Sequence, residues 1–187
     1  MTTSFKAAVG KALEPAGFEG RGAEWTRVRD GCLDCISLQV VSGLGTTVNI
    51  ESVDLVSQAI LDEAIPPGSP GLKYPVTERI GRLMEGQLSR FWRRDTNDPE
   101  ALADAVRTYA LPFLDRMHTL EGVKGQLTVY AENWRNLTAR LYLAITLYRM
   151  GDAAGACAFL QNPPKRLSPA WVAQIEALRR RLCDTTA

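Results

Sequence analysis

The sequence predicts an α+β fold: an N-terminal helix plus an antiparallel β-sheet of three to five strands, followed by a helical C-terminal half. Three observations carry that expectation. Apolar residues recur at helical spacing near the start. The period then drops to two across segments 24–28, 35–41 and 46–53, which are separated by short turn signals. From Asp98 onward, helical spacing with capping residues returns and persists to the end.

Phe5, Ala8, Val9, Ala12, Leu13 and Ala16 share one face of the first helix, with Ser4 placed to cap it and Pro15 and Gly17 to close it. Alternation over 24–28 predicts a strand, and Arg29-Asp30-Gly31 a turn. In 35–41, Ile36, Leu38 and Val40 fall on one face; Cys35, Ser37, Gln39 and Val41 fall on the other. Ser42-Gly43-Leu44-Gly45 is the next turn, and Thr46, Val48 and Ile50 line one side of the third strand. Links this short make the neighbours antiparallel, because a parallel pair needs a crossover. Segment 65–71, with Pro66, Pro67, Gly68, Pro70 and Gly71, reads as a loop. Segments 79–84 and 88–93 fit either period. Strands are expected there, because Gly81 and Gly86 would each weaken a helix by about 1 kcal/mol relative to Ala.

In the helical half, Asp98 caps, Pro99 takes the first helical position and Glu100 favours the positive end of the dipole. Leu102, Ala105, Val106, Tyr109 and Leu111 form the apolar face, and Pro112 should kink or restart the helix. Thr119 can cap a helix through Leu120, Val123 and Leu127. Segment 133–150 is the strongest helix; Gly151 stops it and Asp152 caps the next, which runs to Gln161. Asn162-Pro163-Pro164 ends that one. Ser168-Pro169 opens a last helix through Trp171, Ile175, Leu178 and Leu182. The expected organisation is an α+β domain over 1–124 and a helical extension packed on it over 125–187.

With 187 residues, 45% of them hydrophobic, the chain can bury a full core without disulfide staples. A formal net charge of +1 provides no global field for nucleic acid or an acidic membrane. No apolar stretch suits a signal peptide or a membrane span. The four cysteines, Cys32, Cys35, Cys157 and Cys183, do not make a disulfide framework in a chain of this kind. A reduced, cytoplasmic protein is expected.

Several fragments occur in a telling order: Phe5 and Leu13, Gly17-Phe18, Gly22, Trp25, Ile36-Ser37-Leu38-Gln39, Thr47-Val48-Asn49-Ile50, Arg79-Ile80-Gly81-Arg82-Leu83, Trp92, and Leu111-Pro112-Phe113-Leu114. Over about residues 5–123 they resemble the bacterial domain-of-unknown-function family 4304. That resemblance implies an α+β fold with an antiparallel sheet and strands around Arg79 and Trp92. It brings no catalytic residues, because the family has none established. Ala144, Leu147, Tyr148, Gly151-Asp152, Ala156, Phe159-Leu160 and Pro163 resemble a single tetratricopeptide-type helical hairpin near 139–160. No second copy follows at the repeat spacing, so an array is not implied.

Cys32-Leu33-Asp34-Cys35 is the most chemically suggestive motif. A redox pair needs such thiols at the start of a helix, and here they sit at a turn running into a strand. As half a zinc site they would need two more ligands, and Cys157, Cys183 and His118 lack paired spacing. His118 is the single histidine, so any triad would have to use it; a place near a helix end accounts for it without catalysis. Asp62 and Glu63 are adjacent, so on a helix they diverge by about 100° and make no acid–base pair. Gly17-Phe18-Glu19-Gly20-Arg21-Gly22 follows a helix and lacks the Gly-Lys-Ser/Thr of a phosphate loop. Arg90, Arg93 and Arg94 surround Phe91-Trp92, and Arg179, Arg180 and Arg181 lie in the last helix. Such residues can bind single-stranded nucleic acid, but acidic neighbours follow the first cluster at once.

The resulting expectation has no catalytic residue, no cofactor and no metal. It is a non-enzymatic cytoplasmic protein that binds another protein or regulates it, with a toxin-neutralising, immunity-type role as one form. Arg90, Trp92, Arg93 and Arg94 are the candidate interaction surface. The alternatives are thiol redox or metal binding through Cys32 and Cys35, and nucleic-acid binding through the two arginine clusters.

Overall fold

The computed structural model describes residues 4–65, 74–86, 90–93, 95, 98–132, 136–164 and 167–184. They fall into two compact units interleaved along the chain, one of residues 1–52 and 77–116 and the other of 53–76 and 117–187.

In the first unit the Ser4 hydroxyl accepts from the Ala7 N–H at 3.2 Å and opens α1 (Phe5–Leu13). A tight turn over Glu14–Ala16 follows. The sheet is β1 (Glu19–Arg21), β2 (Glu24–Arg29), β3 (Cys32–Val41), β4 (Gly45–Asp54) and β5 (Val76–Arg79), in the order β1-β2-β3-β4-β5. It is antiparallel, as the short links from β1 to β4 require, with Trp25 opposite Ile36, Arg27 opposite Asp34 and Val28 opposite Leu33. β1 was not foreseen as a strand. It pairs Gly20 with Trp25, and a Cβ at Gly20 would lie 2.7 Å from the Trp25 ring. Glycine is required there by space, since the indole lies over the strand.

Segment 80–85 corrects the expectation of a strand: it is helix α3 (Ile80–Glu85). Ile80 is fully buried, and tertiary burial outweighs the modest cost of Gly81. Gly86, at φ 68°, ends α3 with its N–H on the Arg82 carbonyl at 3.0 Å. In 88–93 the strand character reduces to one antiparallel bridge, where Trp92 and Thr46 exchange backbone hydrogen bonds of 2.9 and 2.8 Å. Residues 88 and 89 lie outside the described residues. Gly45, at φ 122°, leaves room for that bridge, since a Cβ would meet the Trp92 carbonyl oxygen at 2.7 Å.

Asp98 caps α4 (Pro99–Ala105) by accepting from the Glu100 N–H at 3.0 Å. Ala103 packs with Ala8 and Ala12 of α1, small residues that let the two helices approach closely. A wide helical turn over Val106–Ala110 precedes α5 (Leu111–Arg116). Widening just before Pro112 is the expected response to a missing N–H and a clashing ring.

The second unit is helical: α2 (Leu55–Ala64), α6 (Leu120–Glu132), α7 (Leu137–Arg149), α8 (Ala153–Gln161) and α9 (Pro169–Cys183). Asp54 caps α2 through the Ser57 N–H, Thr119 caps α6 through Gly122, and Asn136 caps α7 through Ala139. In α7, Ala139 and all six residues from Leu141 to Thr146 are buried. A helix buried almost all round is a central one; α2, α6, α8 and α9 all pack against it. Residues 133–135, where the sequence places its start, lie outside the described residues. Among the described residues no helix is long and apolar enough to cross a membrane.

Candidate functional site

The second unit carries an apolar cleft of about 220 Å³ between the end of α8 and the outer face of α9. Asp152 caps α8 through the Gly155 N–H at 2.8 Å, and Pro169 sits in the first turn of α9. Leu160, Pro163, Leu167, Val172 and Ile175 form the apolar lining; Gln161, Glu176 and Arg179 supply the polar part. Arg179 donates to Glu176 at 3.0 Å. A smaller recess adjoins, lined by Leu137, Arg140, Leu141 and Phe159 and sharing Leu160, Pro163 and Ile175. Arg140 lies over the Phe159 ring at 4.3 Å and donates to the Asn162 carbonyl at 3.2 Å. Burial lowers its guanidinium pKa from the ordinary value.

The helices that wall this cleft are joined by a disulfide between Cys157 of α8 and Cys183 of α9, with Cα atoms 5.8 Å apart. This corrects the expectation of four reduced thiols. The pair is 26 residues apart in sequence, and it is the packing of α8 on α9 that brings it within bridging range.

On the far side of α7 a polar chain ties α2 in place. Arg149 donates to the Asp54 carboxylate and to the Ser57 hydroxyl, and Tyr142 donates to the Gln58 side-chain carbonyl. Gln58 in turn donates to Asp62 at 2.6 Å. Burial raises the Asp54 carboxyl pKa, but the Arg149 guanidinium and the Ser57 N–H outweigh it and hold the group below the usual carboxylate range. Burial pushes the Tyr142 phenol well above its ordinary value, and the Asp62 and Asp54 carboxylates add to the rise. These contacts are spent between the two helices and fasten one to the other.

The residues singled out from the sequence are scattered. Cys32 and Cys35 are both buried in β3. Three steps along a strand put them on opposite faces and about 10 Å apart, too far for a mutual disulfide. Among the described residues no group of three or more His, Cys, Asp and Glu is placed to hold a metal ion. Trp92 is only 3% exposed, and Arg90 covers its ring at 5.4 Å, so no open face is left for a base to stack on. Arg93 makes a two-pronged pair with Asp95, and Arg94 lies outside the described residues. Consecutive helical residues diverge by about 100°, and the three arginines of α9 separate accordingly. Arg179 faces the cleft, Arg181 reaches Glu63 of α2 at 3.2 Å, and Arg180 is exposed. His118 lies half-buried in the turn before α6.

Of the cleft residues, the sequence marks Gln161 and Pro163 as a helix end, Ile175 as an apolar-face position, Leu160 and Pro163 as part of the hairpin pattern, and Arg179 as one of a basic cluster. Leu167, Val172 and Glu176 carry no such signal, and nothing in the sequence joins these residues into one site. Comparison with protein-family models, with curated protein sequences and with solved structures gave no match.

Proposed function

We propose that the chain is a non-enzymatic protein that binds a partner protein through the α8–α9 cleft. The observation that carries this reading is the composition of the cleft, in which the buried Leu160 and Ile175 and the exposed Pro163 lie beside the ion-paired Glu176 and Arg179. An apolar pocket with a few polar groups at its edge suits the anchor side chain of a partner. The occupant on this reading is a large apolar side chain on a partner segment whose polar flanks meet Glu176 and Arg179. A toxin-type partner, giving the chain an immunity role, a cytoplasmic setting, and membership of family 4304 belong to the same proposal. The α+β fold and the order of the family-like fragments support the family membership.

The test uses Val172, which is 46% exposed at the cleft. Val172→Glu should alter stability by less than about 0.5 kcal/mol, since the residue is not core. It should weaken binding of the partner at least about tenfold by burying a charge against an apolar anchor. The measurement is calorimetric titration of the purified product of the adjacent gene into the full chain and into the variant. Equal affinities, or no binding by the unaltered chain, would overturn the reading.

A further inference from the structure

The disulfide and the cleft share the same two helix faces. On α9, Val172, Glu176, Arg179 and Cys183 are spaced four, three and four apart, so they form one stripe. The first three line the cleft and the fourth carries the bridge. On α8, Cys157 lies three and four residues before Leu160 and Gln161, which also line the cleft. Cys183 is one turn, about 6 Å, beyond Arg179 along the helix axis. The bridge is therefore the covalent end of the cleft. Both cysteines are half-buried and neither belongs to the fully buried core.

We propose that Cys157–Cys183 is a reversible thiol switch that governs the spacing of α8 and α9 and, through it, the shape of the cleft. This rests on the reading of the cleft as the binding face. In the cytoplasmic setting proposed above, on which this step also rests, a disulfide is characteristically transient or sensing. Opening takes a dithiol. Its thiolate attacks one sulfur, the S–S bond breaks, and the other cysteine leaves as a thiolate that takes up a proton. The second thiol of the reductant then attacks the mixed disulfide and frees the first cysteine. Two electrons and two protons reach the protein, and the reductant becomes a cyclic disulfide. Closing runs in reverse against a low-molecular-weight disulfide, which is reduced to two thiols.

The experiment uses the full chain with dithiothreitol as the opening reagent and glutathione disulfide as the closing one. Alkylation under denaturing conditions, read by intact mass, should count two reactive cysteines in the closed form and four in the open form. Amide hydrogen exchange should then rise about tenfold or more across α9 on opening, with a smaller change in α7. The double variant Cys157→Ser/Cys183→Ser should show the open-form exchange and no response to dithiothreitol. Failure of glutathione disulfide to form the bridge overturns the switch, as does exchange in α9 that is the same in both forms. These readings need no partner. If they hold while Val172→Glu binds normally, the cleft reading fails and the thiol chemistry stands. If they fail while Val172→Glu loses its partner, the switch alone falls.

Discussion

Asp34 has no solvent exposure, and both of its carboxylate oxygens are engaged, one by Arg27 Nε at 2.8 Å and one by the Ser52 hydroxyl at 2.8 Å. Arg27 completes its own set with the Ala16 carbonyl, the Asp115 carboxylate and the Phe18 ring. This ion pair occupies the inner face of β2 and β3, while the neighbouring Val28 is 68% exposed. Hydropathy alone would place them the other way round. Arg27→Met should cost about 3–5 kcal/mol, because it leaves the Asp34 charge buried and uncompensated. Arg27→Met/Asp34→Leu should recover most of that loss. Urea denaturation followed by tryptophan fluorescence measures both variants. Tyr142 belongs to the same scale. Its phenol titrates higher folded than unfolded, so its contribution is complete below the unfolded value of about 10 and is lost as pH rises through the folded value. Tyr142→Phe should lower stability by about 1 kcal/mol near neutrality through the lost bond to Gln58. It should also flatten the decline that sets in above about pH 10, seen in denaturation midpoints measured upward from that pH.

α1, β2, β3, β4 and the helices after Asp98 follow local signals that agree with their surroundings: Ser4, Asp98, Thr119 and Asp152 all cap the helices they precede. α3 does not follow the local signal. Gly81 argues against a helix, but the burial of Ile80 decides for one, and Gly86 closes it. Propensity differences of about 1 kcal/mol are smaller than the gain from burying an isoleucine, about 1.5–3 kcal/mol. The cleft was illegible for a related reason. Leu160 and Ile175 look like ordinary core positions until α8 and α9 are set side by side. The bridge between those helices closes a loop of 26 residues, which on chain entropy is worth about 3.5 kcal/mol. Cys157→Ser/Cys183→Ser should therefore lower the melting temperature by about 7–14 °C for a chain of this size. A calorimetric scan without reductant checks it.

The interleaving of the two units is a property of the whole molecule. α2 comes from the middle of the sequence, yet its partners α7 and α9 lie near the end. A fragment of residues 117–187 would lack α2. Tyr142 and Arg149 would lose Gln58, Asp54 and Ser57, and the buried face of α7 that α2 covers would meet water. That fragment should retain helix by far-ultraviolet circular dichroism but lose a cooperative melt and bind a hydrophobic dye. A sharp two-state melt for the fragment would contradict the division.

By itself the sequence determined the fold class, the antiparallel order of the central strands and most helix starts, because turns, caps and period act over a few neighbouring residues. Tertiary structure alone decided that 80–85 is helical, that Arg27 is buried and Val28 exposed, and that Cys157 meets Cys183. It also decided that Leu160 and Val172 line one cleft. Each of these depends on contacts between residues distant along the chain, whose pairing no local period encodes.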